Sequence, residues 1–403
     1  MKRIESVAFV LALVLAGSLL VTRPGIAKDN PRIERVLDNL QVIDFTIPKQ
    51  TGESATLAER MAFYKIPGVS IALINDFAIE WEKGVGYLKA GDAARVDEKS
   101  VFQTGSVSKF VTAVLALHFV EKGLLDLDTD VNQYLSSWKI PENQFSKERK
   151  VTLRYLLSHQ SGIPAQAQLE DSASVLQILS GERPAKNPPA VPETEPGSQW
   201  NYSNIGYVVI QLILEEVTKK PFDQLAAEVI FKPLGMTSSS FSYPLPETLR
   251  KHEALPHGTD GSPRTPEQSG QARTPGGLLS TPQDMATLVL EVINAFLGKS
   301  DRVISPKTAR LMLTKQVDVP PEALGMPLGN GLGVFIDTST EEVCFLHPGH
   351  NSPGTTFVFV AFPSLGKGAV IAANGNLGDR LYLEILASLA IEYKWPSGQP
   401  FKR

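Results

Sequence analysis

Strand-like runs occupy both ends of this sequence's folded part, and helix-like runs fill its middle. After Pro67-Gly68, the run Val69-Ser70-Ile71-Ala72-Leu73-Ile74 turns at Asn75-Asp76 into a second strand-like stretch over 79–87, which reads as a hairpin. The C-terminal part returns to strands at 332–337, 343–347, 355–362 and 369–374, and a helix over 379–392 closes it. Between them the spacing predicts helices at 106–121, 152–158, 204–219, 222–229 and 282–296, separated by long loops, and another helix at 54–65 carries Leu57, Met61 and Tyr64. Strands so far apart share one sheet only when the chain leaves that sheet and comes back. The pattern therefore predicts a mixed α+β fold, with a sheet built from both chain ends and a helical domain inserted in its middle. The expected bounds are 54–100 with 300–395 for the discontinuous sheet domain and 101–299 for the mainly helical domain, with the active site between them. Residues 28–53 read as a loosely folded lead-in.

The first residues carry a different signal. Met1-Lys2-Arg3, an apolar run over 7–21 and Gly25-Ile26-Ala27 make a basic, apolar and small-residue series that predicts a secretory signal peptide cleaved after Ala27. The apolar core is short for a membrane span, and no later stretch is long enough, so a periplasmic or secreted protein without a stable membrane span is expected. Roughly 376 residues would remain, more than one core usually supports, in keeping with two sub-domains. The formal charge of −4 and the lack of a basic cluster argue against nucleic acid as a partner. Cys344 is the only cysteine, so no internal disulfide forms. No Cys/His cluster has metal-ligand spacing, and neither a metal nor another cofactor is expected.

Ser106-Val107-Ser108-Lys109 sets a hydroxyl and an amine one helical turn apart, where Thr104-Gly105 gives way to the apolar run 110–117. Ser136-Ser137-Trp138-Lys139 and Ser364-Leu365-Gly366-Lys367 share the spacing, but Pro141, Pro363 and Gly366 keep both out of an apolar helix. Burial disfavours a charged lysine, so Lys109 is placed to take the Ser106 proton. Tyr202-Ser203-Asn204 follows Pro196-Gly197-Ser198 and precedes a helix. A phenol beside an ammonium is expected to have a lowered pKa, making Tyr202 a general base or proton relay, while Asn204 offers a neutral donor and acceptor to substrate. His347-Pro348-Gly349-His350 ends a strand. There Gly349 lets substrate approach the backbone, the peptide N–H groups of Ser106 and His350 supply an oxyanion hole, and His347 is expected to carry partial positive charge. His159, in Leu156-Leu157-Ser158-His159-Gln160-Ser161-Gly162, reads mainly as a capping or loop-fixing residue.

These segments, together with Phe102-Gln103-Thr104-Gly105 and Lys232-Pro233-Leu234-Gly235-Met236, resemble the serine β-lactamase and penicillin-binding-protein superfamily over about residues 54–392. The nearest branch holds class C β-lactamases and D-alanyl-D-alanine-carboxypeptidase-like enzymes. The resemblance implies an antiparallel sheet flanked by helices, acylation of Ser106, proton handling by Lys109 and Tyr202, and substrate binding by Asn204 and the strand bearing His347. One departure stands out. Members usually carry Lys-Thr-Gly or His-Thr-Gly where this chain has His347-Pro348-Gly349, and Pro348 has neither hydroxyl nor N–H. A lost charge-assisted hydrogen bond is worth roughly 1.5–3 kcal/mol, a ten- to hundredfold loss in handling a free carboxylate. The expected activity is that of a β-lactamase-related serine hydrolase on an ester, amide or peptide. The alternatives are a true β-lactamase or D,D-carboxypeptidase and a slow-turnover penicillin-binding sensor.

Overall fold

The strands, in chain order, are β1 (Leu40–Asp44), β2 (Lys49–Ala55), β3 (Gly68–Asn75), β4 (Ala78–Gly86), β5 (Phe102–Gln103) and β6 (Leu279–Ser280). They continue as β7 (Val317–Val319), β8 (Leu328–Asn330), β9 (Phe335–Asp337), β10 (Cys344–Asn351), β11 (Thr355–Phe362) and β12 (Lys367–Ala373). This is a computed structural model describing residues 30–396 apart from 47–48, 166–171, 243, 267–269, 338 and 340–341; the leader expected over 1–27 lies outside the described residues. Eight strands form one antiparallel sheet in the order β4-β3-β12-β11-β10-β9-β8-β7. The N-terminal hairpin β3–β4 thus pairs directly with the last strand, through Ile71↔Ile371 and its neighbours.

Both faces of the sheet are covered, which explains why β3 and β11 are buried at every position rather than at every second one. Alternation sends Phe345, Phe357 and Phe359 to one face, against the helix Ser108–Glu121, and Leu346, Val358 and Val360 to the other, against the C-terminal helix Gly378–Glu392. The Ser108–Glu121 helix is apolar all round, and Phe110, Val111, Val114 and Leu117 have no exposure, so it runs through the core rather than along its surface. The helix Pro282–Phe296 packs on β3 and β12 from the same side.

The segment 28–53, expected to be loosely folded, has regular structure over its described residues 31–37, 40–44 and 49–53. They form a helix, Pro31–Leu37, capped by the Asn30 side chain, and the β1–β2 hairpin. Both dock on the C-terminal helix: the Gln41 N–H donates to Ser388 Oγ at 2.8 Å and the Ile43 N–H to Glu384 Oε1 at 3.2 Å. Glu384 has no exposure and also accepts Arg60 Nε (2.8 Å), Arg60 Nη2 (2.7 Å) and the Tyr64 hydroxyl (3.0 Å). Among the described residues, no helix is long and apolar enough to cross a membrane.

Candidate active site

Ser106 lies in a 3-10 turn, Gly105–Val107, just ahead of the helix that carries Lys109, rather than in the helix's own first turn. Several bonds hold that turn. The Thr104 N–H donates to Leu278 O at 2.9 Å, the Ser108 hydroxyl to Gly105 O at 2.7 Å, and the Leu278 N–H to Ser108 Oγ at 3.0 Å. Gly105 adopts φ +53°, and a Cβ there would sit 2.7 Å from the His350 peptide nitrogen. A Cβ on Gly349 would sit 2.0 Å from Thr104 O. What comes close to Gly349 is therefore the backbone of the Ser106 turn, a different reason for this glycine from the substrate approach expected of it. The two glycines let β10 press against the turn, backbone to backbone, and place the His350 peptide nitrogen one residue from Ser106.

Lys109 is fully buried, with Nζ 3.0 Å from Ser106 Oγ and donating to Pro275 O at 2.7 Å. Burial without a carboxylate partner pushes its pKa well below the usual lysine range. Burial thus favours the neutral amine over the ammonium. The Tyr202 ring lies 4.8 Å from Nζ, and its hydroxyl hydrogen-bonds the Ser106 side chain. The phenol pKa is raised rather than lowered, because burial outweighs the lowering by its hydrogen bond to the Ser106 side chain. Burial thus favours a protonated Tyr202, the opposite of the lowered pKa expected of it. Asn204 opens the helix Asn204–Thr218, and Ser203 caps that helix through the Gly206 N–H at 2.9 Å.

His347 is buried, its ring 5.0 Å from that of Phe335, with Nδ1 2.7 Å from Pro348 O. Burial first, and Lys109 second, pull its pKa down to about 3. The partial positive charge expected of it is absent, because a strand end packed between Phe335 and the Lys109 pocket excludes the water that would solvate an imidazolium. Alternation along β10 puts Pro348 and His350 on the opposite face from His347. His350 is exposed, and its Nε2 lies 3.1 Å from Asn376 Oδ1. Only Cys344, Phe345 and Leu346 of β10 pair with β9, so 347–351 overhang it, beside the Ser106 turn. Cys344 is buried and its thiol pKa is pushed up, which leaves no ready thiolate.

Sequence reading missed the segment that faces Lys109. Pro275 supplies the carbonyl for the amine. It is held by Gln211, whose Oε1 accepts the Arg273 N–H at 2.8 Å and whose Nε2 donates to Gln271 O at 2.8 Å, and by Thr274 Oγ1, which donates to Tyr207 O at 2.7 Å. Trp200 also went unmarked, though its Nε1 donates to Asn330 Oδ1 at 3.0 Å and joins the Tyr202 loop to β8. No side-chain chemistry in 271–277 advertises a main-chain acceptor. The Thr-Pro-Gly-Gly run was the one available signal. Among the described residues, no group of three or more His, Cys, Asp or Glu is arranged to hold a metal.

The β-lactamase family model matches residues 54–391, a span that takes in the Ser106 turn, Lys109, the Tyr202 loop and β10. The chain belongs to the β-lactamase family. It is 26% identical over 341 residues to penicillin-binding protein 4 of Amycolatopsis lactamdurans, covering 81% of this chain and 85% of that one. To Protein flp of Staphylococcus aureus (strain MRSA252) it is 24% identical over 319 residues, 77% of this chain. That match spans only 60% of Protein flp's length. Among solved structures, the octameric penicillin-binding protein homologue from Pyrococcus abyssi superposes with a TM-score of 0.68 at 25% identity, covering 83% of this chain and 75% of that one. The penicillin binding protein from Bacillus halodurans gives 0.66 at 22% identity, covering 83% and 98%. This β-lactamase family chain has the antiparallel sheet flanked by helices that its motifs implied, and serine hydrolases are the family's general type.

Proposed function

We propose that this β-lactamase family chain is a serine hydrolase that forms an acyl-enzyme on Ser106 with an ester, amide or peptide substrate. The observation that carries the reading is the 3.0 Å approach of a fully buried Lys109 amine to Ser106 Oγ. As Oγ attacks the carbonyl carbon, its proton passes to the neutral amine, and the oxyanion accepts from the peptide N–H groups of Ser106 and His350. Lys109 then returns the proton through Tyr202 to the leaving group as the carbon–leaving-group bond breaks. A water molecule repeats the sequence on the ester bond and frees Ser106. Asn204, His347 and Gly349 line the walls. The leader over 1–27 directs the enzyme to the periplasm or outside the cell.

Incubation with a fluorophosphonate or a fluorescent penicillin, followed by mass spectrometry, tests this. One adduct is expected on Ser106 and none on Ser106→Ala; an unlabelled wild type, or equal labelling of the variant, overturns the reading. With His347 neutral and Pro348 lacking hydroxyl and N–H, short p-nitrophenyl esters are expected to turn over faster than nitrocefin or a D-Ala-D-Ala peptide. Two relatives bear the name penicillin-binding protein, which favours a second reading, a slow-turnover penicillin sensor. A stable adduct with no turnover of any of the three substrates would select it. Gly349→Ala is expected to slow labelling by about tenfold or more, since its Cβ forces β10 away from Thr104 O and misplaces the turn. A rate within about twofold of wild type would count against that account of the glycine.

A further inference from the structure

The loop after the helix Leu153–Leu157 holds a histidine to which the proposed chemistry gives no part. His159 is buried and adopts φ +59°, a left-handed backbone that a side chain of this size keeps only where its surroundings impose it. Its contacts bracket Tyr202. The carbonyl of His159 accepts the Asn201 N–H at 2.7 Å, and its Nδ1 accepts the Ser203 N–H at 3.2 Å. Its ring lies on the Tyr202 ring with centroids 4.2 Å apart. The Ser203 hydroxyl ties the same loop down again, donating to Pro164 O at 2.9 Å. The residues before and after Tyr202 are thus each fixed by one atom of His159, and the phenol ring rests on its imidazole.

We propose that His159 is a positioning residue that sets the Tyr202 hydroxyl against Ser106, working as a neutral imidazole with its proton on Nε2. Burial, Lys109 and His347 all hold its pKa well below the usual range, in agreement with an Nδ1 that accepts. Lys109 and His347 are the titratable basic groups that face it, each itself lowered by burial, and the Tyr202 and Tyr207 phenols, which stay protonated, cover its ring. A proton on Nδ1 would turn the acceptor toward Ser203 into a second donor and break the bracket. The kinetic arm of the test rests on the Ser106 reading; the spectroscopic arm does not.

His159→Phe keeps a ring and loses the acceptor, while His159→Asn keeps an acceptor and loses the ring. Each is expected to slow Ser106 labelling by about tenfold or more in the wild-type background, and by less than about twofold beside Tyr202→Phe, because the effect passes through the Tyr202 hydroxyl. Equal losses in both backgrounds, or no loss in the first, overturn the proposal, since a merely structural histidine would add its cost to either. Independently of activity, ring-labelled tyrosine NMR, with Tyr202 assigned by difference against Tyr202→Phe, is expected to show its resonance displaced in both variants. Its phenol is expected to titrate at lower pH in His159→Asn. An unmoved Tyr202 in both variants overturns the proposal. An unlabelled wild type removes the Ser106 reading alone and leaves the resonance to decide.

Discussion

Lys109→Met is expected to slow acylation of Ser106 by about 10²- to 10⁴-fold, the usual contribution of a placed general base. Methionine keeps the length and apolar stem of lysine, so the pocket stays filled while the amine 3.0 Å from Ser106 Oγ is lost. Lys109→Arg is expected to fare no better, because a guanidinium keeps its charge at every accessible pH and cannot accept the serine proton. The pH dependence follows from the lowered pKa of Lys109. Activity is present above the native pKa of this amine and is lost as pH falls through it, so the rate has an acid limb that Lys109→Met abolishes. The stability sign is worked out the same way. In the window between the native pKa and the unfolded value near 10.4, the unfolded chain binds the proton and the native chain does not. Native stability therefore rises with pH across that window, and the cost of burying the amine grows as pH falls through it and is complete below it. Lys109→Met is thus expected to unfold at an equal or higher urea concentration than wild type at neutral pH while losing its chemistry, the pattern of a site that gives up stability for function. Stopped-flow labelling across pH checks this; a variant labelled at the wild-type rate, or one that keeps the same acid limb, would refute the assignment of Lys109 as base.

Glu384→Ala is expected to destabilise the protein by roughly 3–5 kcal/mol, the range for removing one partner of a buried ion pair. The carboxylate has no exposure and takes both nitrogens of the Arg60 fork, the Tyr64 hydroxyl and the Ile43 N–H. Removing it leaves a guanidinium whose side chain is 11% exposed without a counter-charge, and also frees the β1 strand from the C-terminal helix. Glu384→Gln keeps the volume and two of the acceptor sites, so a smaller loss is expected from it. Urea unfolding followed by tryptophan fluorescence measures both, and an unfolding free energy for Glu384→Ala within about 1 kcal/mol of wild type would show that the network does not hold this part of the fold.

The Glu384 network also marks where sequence reading ran short. β1 and β2 show no strand period strong enough to read, because what orders β1 is docking onto Ser388 and Glu384, more than 300 positions away. β7 and β8 have three residues each, too few for alternation to register, and they extend the sheet edge beyond β9, the shorter form of the strand expected at 332–337. The long central strands were legible for the opposite reason: β3, β11 and β12 are covered on both faces, so nearly every position must be apolar.

The site divides along the same line. Ser106 and Lys109 are three positions apart, and local helical geometry alone sets them face to face, so their pairing was written in the sequence. The order of the later segments carried Tyr202, Asn204 and the His347 strand with them. Their protonation was another matter. That Tyr202 keeps its proton, that His347 carries no charge, and that the neutral form of Lys109 is favoured are consequences of burial, which arises only when the helices, β10 and the 271–277 segment close around them. Gly349 and Pro275 make the same point from the backbone, since a close approach to Thr104 O and a carbonyl aimed at an amine have no residue type of their own. Which groups are present, and the sheet that gathers them, follow from residue order and periodicity along the chain. Tertiary structure decided which of them hold protons, because desolvation depends on what surrounds a group in space and not on what adjoins it in the chain.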